Sequence, residues 1–225
     1  MLERIDGIFS GQPINPSIKV PETERVQSIG VGVLIIALDP RRNGDNVSNP
    51  KFWTIKEGQS KETTIKLAGE ISGPAETKKT GESTLSNIYG ALGEFCDDTS
   101  IDEVSEHLFV MEGSFVPNAA TVHGNPVDLA VLVYDGLLDT PFKPASCDEV
   151  SANGWMTRED ILKIPNVRPV FRDLIEFERR NGLAAKILEA YYSNPQMRMP
   201  IFPQGFSLSS FHIQREQLAD DPRTK

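Results

Sequence analysis

Apolar residues recur with two different periods along the chain, and together these periods predict a mixed α+β protein. A continuous, β-branched run at residues 28–38 is typical of a strand that is buried on both faces. Shorter runs predict further strands at 51–56, 63–68, 108–111 and 127–134. Helical spacing predicts helices at 84–98, 159–164 and 170–192. The predicted order is strands, a central helix, further strands and then helices. This order differs from the regular βαβ alternation of a parallel α/β fold.

The two ends of the chain differ from its middle, and we divide it into three parts. Residues 1–27 contain three prolines and few periodic apolar positions, which predicts an N-terminal arm. Residues 28–180 form the main domain. Residues 181–225 hold the end of the last helix and, with four prolines from Pro195 onward, an extended tail. Its apolar positions, Ile201–Phe202 among them, are compatible with a homodimer.

Composition places the chain among soluble globular proteins. It has 225 residues, 39% hydrophobic and 24% charged, which is enough to bury a core. No apolar run approaches the roughly 20 residues that cross a bilayer, and no secretory signal is evident at the start. Only Cys96 and Cys147 are present, so a disulfide framework is excluded. The expected location is therefore the cytoplasm, without a membrane partner.

Charge is distributed unevenly along the chain. The net charge of −9 argues against non-specific nucleic-acid binding, which needs a basic face. Residues 81–142 contain eleven Asp or Glu and no Lys or Arg. A segment whose charged residues are all negative favours a bound cation, although a solvated acidic surface has the same composition.

Three carboxylates stand close together in this acidic segment. If the central helix runs to Asp98, then Glu94, Asp97 and Asp98 occupy positions i, i+3 and i+4 and share one face. Like charges repel there, and the helix C-terminus disfavours anions, so a hard divalent cation such as Mg²⁺ or Mn²⁺ would relieve both penalties. The alternative is that the helix ends near Phe95 and that the two aspartates cap the next helix.

The same stretch resembles the catalytic helix of the Nudix hydrolase family, whose box reads G-x5-E-x7-R-E-U-x-E-E-x-G-U with U aliphatic. Glu94 matches the Glu of R-E, and Asp97 and Asp98 match the E-E pair. The resemblance extends over residues 28–180, with further matches at 67–70, 81–83, 148–150 and 155–162. It implies an α+β fold in which a mixed β-sheet is sandwiched between helices.

Two registers relate the chain to this box. The gapped register restores five box positions together and is the one we prefer, although Gly93 replaces the Arg and Ser100 replaces the last Gly. An ungapped register counted from Glu82 places Gly90-Ala91 at R-E and Glu94-Phe95 at E-E. That register retains one carboxylate and implies an inactive site.

The resemblance in the gapped register implies Mg²⁺-dependent hydrolysis of a nucleoside diphosphate linked to another moiety, of the nucleotide-sugar or ADP-ribose type. Metal-bound water would attack phosphorus, with Glu149 or Glu94 as general base. The implied metal ligands are Glu94, Asp97, Asp98 and Glu82. The candidate substrate contacts are Trp53, for stacking, and Arg41 and Arg42, for phosphate. The alternatives are an inactive Nudix-fold module that binds a nucleotide or a protein, and an unrelated α+β fold with an acidic surface.

Overall fold

A computed structural model describes residues 18, 28–39, 45–58, 67–78, 83–93, 96–139, 150–207 and 209–211 of the chain. Within them the strands are β1 (Gly30–Ala37), β2 (Lys51–Glu57), β3 (Ile71–Ser72), β4 (Ala75–Thr77), β5 (Leu108–Val110), β6 (Phe115–Val122), β7 (Asn125–Tyr134), β8 (Val150–Thr157) and β9 (Met199–Pro200). The helices are α1 (Asp45–Ser48), α2 (Thr84–Gly93), α3 (Asp98–Val104), α4 (Arg158–Lys163), α5 (Pro169–Asn181) and α6 (Leu183–Ser193). None of these helices combines the length and apolar character that a membrane span requires.

The strands form one mixed sheet around a parallel pair. β1 runs parallel to β7, in register from Val31↔Asp128 to Ala37↔Tyr134. β2 and β4 pair with β1 in the antiparallel sense, and β5 and β6 pair likewise with β7. β8 pairs with β2, and β9 extends the sheet beyond β5.

Both faces of the sheet are covered by helices. Val31, Val33 and Ile35 of β1 belong to a core cluster that also contains residues of α2 and α3. Leu34 and Ile36 point to the other face, into a cluster with α5 and α6. The predicted strand buried on both faces is therefore confirmed, because β1 lies in the centre of the sheet between two helical layers.

Other predicted elements are found with small shifts of their bounds. The predicted strands at 51–56, 108–111 and 127–134 correspond to β2, β5 and β7, and the long helix is divided at Gly182, whose φ is 59°. Residues 63–66, part of another predicted strand, lie outside the described residues. The last described residues, 199–207 and 209–211, are packed against the core, although their prolines had favoured an extended tail.

The periodicity did not predict β6 and β8. In β6 the pairing with β7 shifts register between Val116 and Ala120, and Asn118 between them has a φ of 53°. This irregularity interrupts the alternation by which a half-buried strand is normally recognised. In β8 the polar residues and Gly154 leave no clear alternation.

Gly30 is required by a close approach of strands. An added Cβ would lie 2.5 Å from the Glu76 carbonyl oxygen on β4, which pairs with β1 here. We expect Gly30→Ala to lower the free energy of unfolding by about 1–3 kcal/mol, because backbone atoms would have to move. Gly154→Ala is the matched control, since its Cβ would meet nothing within 4 Å. Urea denaturation of both variants tests this, and equal losses would contradict it.

Candidate functional site

The start of α2 is fixed by Ser83. Its Oγ accepts a hydrogen bond from the Ser86 backbone N–H at 3.1 Å, and its carbonyl oxygen accepts one from Asn87 Nδ2 at 2.8 Å. Such side-chain capping is the usual signal that begins a helix. Ser83 therefore caps α2, which starts directly after it.

The end of α2 differs from the prediction. The helix is assigned to Gly93, and the Cys96 N–H still donates to the Leu92 carbonyl oxygen at 3.0 Å. Asp97, however, has an extended backbone, with φ −79° and ψ 170°, and α3 begins at Asp98. The prediction of a single helix carrying Glu94, Asp97 and Asp98 on one stripe is therefore wrong.

Asp97 acts as the N-cap of α3. Its Oδ1 accepts hydrogen bonds from the Ser100 N–H and from the Ser100 hydroxyl, both at 2.7 Å. The carboxylate thereby sits at the favourable N-terminal end of one helix dipole instead of the unfavourable C-terminal end of another. This is the capping alternative, and it removes the unfavourable helix-dipole interaction of Asp97 without a cation.

The helix bounds bear on the choice of register. In the ungapped register the R-E pair, Gly90-Ala91, lies within α2, and the E-E pair, Glu94-Phe95, lies outside the described residues. The gapped register instead spreads its box over residues on both sides of the break at Asp97. At the Glu position of the ungapped register stands Ala91, which is completely buried in the core.

Most of the other predicted site residues lie outside the described residues. These are Glu82, Glu94, Glu149, Arg41 and Arg42, together with the side chain of Asp98, so their metal, catalytic and substrate roles remain predictions. Within the described part of the chain, no three acidic, histidine or cysteine side chains are grouped as metal ligands would be. Among the predicted metal ligands, Asp97 is the one whose side chain is described, and it serves as the N-cap of α3.

Trp53 is described and lies in the core. Its side chain is 1% exposed, and its ring packs edge to face on Trp155 with centroids 5.0 Å apart. Trp155 stacks in turn on Tyr134 at 5.6 Å. The contacts of Trp53 are those of a core residue, and its role in stacking on a base remains a prediction.

Cys96, between the two helices, is also a core residue. Burial, with a smaller contribution from the charge of Asp97, raises the pKa of its thiol well above the ordinary value. A thiol held in its neutral form is a poor nucleophile and a poor metal ligand. Cys96 is therefore a core thiol.

A feature that the sequence did not predict covers the outer side of α2. Tyr89, one turn before Gly93, is surrounded by Phe202, Phe206 and Phe211 at centroid distances of 5.6, 4.8 and 5.8 Å. Its hydroxyl donates a hydrogen bond to the Ile201 carbonyl oxygen at 2.9 Å. The only signal in the sequence was the series of apolar residues within the tail.

Several solved structures are similar to this chain. The MutT protein from Methanosarcina mazei Go1 has 18% identity, with 71% of this chain and 99% of that chain covered and a TM-score of 0.40. A C. elegans Ap4A hydrolase has 13% identity, coverage of 74% and 98%, and a TM-score of 0.44. The Nudix hydrolase RenU from M. smegmatis has 15% identity, coverage of 70% and 86%, and a TM-score of 0.45. No family model matches the sequence, and no curated protein matches it.

The architecture of the chain is the one that the Nudix resemblance implied. A mixed sheet lies between α2 and α3 on one face and α5 and α6 on the other, and α2 occupies the predicted position in the chain. The expectation of a mixed sheet between two layers of helices is therefore confirmed.

Proposed function

We propose that this chain is a Nudix-fold binding module that has lost diphosphate hydrolysis. The observation that carries the proposal is the use of Asp97 as the N-cap of α3, with an extended backbone that separates it from α2. A metal site on one helical stripe needs its carboxylates to converge, and a capping carboxylate is already held by two hydrogen bonds.

The surroundings of α2 support the same proposal. Every residue from Leu85 to Gly93 is buried, including Ser86 and Asn87. A diphosphate with its metal ions is large, charged and hydrated, and it requires an open polar face. The described part of α2 instead has the burial of a core helix.

The second candidate is the Mg²⁺-dependent hydrolase itself. It is favoured by the acidic turn, in which Glu94, Asp97 and Asp98 fall within five residues of the chain. In this candidate Glu94 and Glu149 would serve catalysis, and Glu82 would complete the metal ligands. The substrate would be a nucleotide sugar or ADP-ribose type of diphosphate.

Turnover measured on the full-length chain distinguishes the two candidates. We expect no Mg²⁺- or Mn²⁺-dependent release of phosphate or of nucleoside monophosphate from ADP-ribose, a nucleotide sugar or a dinucleoside polyphosphate. Chromatography of the reaction products is the measurement. Turnover in the wild type that disappears in Glu94→Gln would overturn the binding module and establish the hydrolase. Turnover retained in Glu94→Gln would point to a contaminating enzyme.

A further inference from the structure

The C-terminal segment of the described chain lies on the body as a separate piece. We call residues 199–207 and 209–211 the strap. It begins at β9, which pairs with β5 at Phe109↔Pro200 and Val110↔Met199, and the Ile201 N–H donates to the Leu108 carbonyl oxygen at 3.0 Å. From there it crosses to α2.

The strap is attached to the body by aromatic side chains. Phe202, Phe206 and Phe211 are all buried around Tyr89, and Phe202 and Phe206 also contact each other at 4.9 Å. Hydrogen bonds join the strap to β5 and to Tyr89 at Ile201, and a local one runs from the Phe211 N–H to the Ser207 carbonyl oxygen. In its contacts the strap thus resembles a peptide ligand seated on a receptor.

The residues that form the two helical layers precede the strap in the sequence. The core cluster between the sheet and α5 and α6 contains no strap residue. In the other cluster the strap adds Ile201 and the three phenylalanines to side chains of the sheet, α2 and α3. The body therefore has a core of its own to which the strap is added.

The start of the strap is anchored independently. The Arg198 guanidinium lies 3.7 Å from the centre of the Tyr191 ring and donates two hydrogen bonds to the Tyr191 carbonyl oxygen. The Tyr191 hydroxyl donates to Asp135 Oδ2, and His107 contacts the other oxygen of that carboxylate at 2.9 Å. Arg198 thus links the start of the strap to α6 by contacts that do not involve α2.

We propose that the Tyr89 side of α2 is a peptide-binding surface that the strap occupies in cis. The partner is a protein segment without charged residues that presents aromatic side chains four residues apart, as Phe202 and Phe206 are, and that displaces the strap. The strap itself indicates this chemistry, because residues 199–211 contain no charged side chain in a protein of net charge −9. Because this partner is the partner of the binding module proposed above, the proposal rests on that proposed function.

Displacement is governed by effective concentration. A tethered segment competes at an effective concentration in the millimolar range, so a free peptide of equal affinity at micromolar concentration is excluded. Weakening the strap lifts this competition. A natural partner must therefore bind more tightly than the strap or carry a second contact.

The test uses a labelled peptide that corresponds to residues 199–211, followed by fluorescence anisotropy. Full-length Phe206→Ala/Phe211→Ala, with its strap weakened, is expected to bind the peptide at least tenfold more tightly than the wild type does. A peptide with the same two replacements should not bind. Tyr192→Ala, which alters an exposed aromatic residue outside the strap, is the matched control and should exclude the peptide as the wild type does.

Two results would overturn the proposal. One is a folded double variant that does not bind the peptide, and the other is a wild type that binds it as tightly as the double variant does.

If the double variant does not fold, hydrogen exchange of the wild type tests the proposal instead. Amides of Ile201, Phe206 and Phe211 should exchange at least tenfold faster than those in the centre of β1 and β7. Equal protection would make the strap a permanent part of the core. Neither result depends on the turnover assay, so failure here and failure of the proposed function are distinguishable.

Discussion

Arg158→Met is expected to lower the free energy of unfolding by about 3–5 kcal/mol at neutral pH. Arg158 pairs with Glu178 of α5 at 3.4 Å, and the Glu178 side chain is fully buried. Arg158 also donates to the Ser48 carbonyl oxygen at 2.5 Å, so it connects α1, α4 and α5. Removing it leaves a buried carboxylate that still accepts a hydrogen bond from the Ala184 N–H, at 3.2 Å.

This loss depends on pH. Burial raises the pKa of Glu178 above its ordinary value, and the Arg158 charge partly offsets the rise. A carboxyl whose pKa is higher in the folded than in the unfolded state loses stability as the pH rises above the unfolded value, about 4.3. Without Arg158 the folded pKa rises further, so the variant should lose most stability at neutral pH and much less near pH 4.

The control for this prediction is Lys163→Met. Lys163 pairs with Asp160 at 4.0 Å on the surface of α4, where an ion pair contributes about 0.5 kcal/mol or less. Urea denaturation of both variants between pH 4 and 8 is the measurement. A loss for Arg158→Met that is independent of pH would show that packing, and not the buried charge, stabilises this junction.

Ala91→Glu is the other substitution with a large expected effect, a loss of about 4 kcal/mol or more. Ala91 is completely buried in the core cluster that contains Ile88 and Leu92 of the same helix. In the ungapped register this is the position of the Glu of R-E. A carboxylate introduced there would be taken out of water without a partner, and its longer side chain would overfill the core.

Ala91→Gln separates charge from size, because it adds almost the same volume without an ionisable group. The Glu variant should become less stable than the Gln variant as the pH rises, since burial raises the pKa of the new carboxyl. Thermal unfolding with and without Mg²⁺ completes the test. A gain in stability of Ala91→Glu with millimolar Mg²⁺ would contradict our description, because it would place a metal-binding face at Ala91.

The central elements of the fold could be predicted because their sequence signals are local. β1 and β7 are continuous apolar runs, and the division of the last helix coincides with Gly182, whose positive φ glycine adopts readily. β6 was missed because Asn118 and the register shift disturb its period. The strap was missed because its phenylalanines are spaced irregularly between prolines, and only their partner Tyr89, far away in sequence, makes them part of the core.

The acidic turn shows why the site was harder to predict than the fold. Asp97 has the spacing of a helical metal ligand, and Asp97 with Ser100 also has the spacing of an N-cap. Local sequence is compatible with both, and the outcome depends on whether α2 continues through Asp97. Gly90 and Gly93 reduce the helical propensity at that point, and the two bonds to Ser100 stabilise the break.

The parallel pairing of β1 with β7 has a consequence for synthesis of the chain. β1 is complete at Ala37 and its ends pair with β2 and β4, but β7, which pairs with it from Val31 to Ala37, ends only at Tyr134. During translation nearly a hundred further residues are synthesised after the uncharged run GVGVLIIA before β7 is complete. Uncharged segments of high β-propensity are prone to aggregate while unpaired. Slow translation at low temperature and early chaperone binding should therefore increase the yield of folded protein.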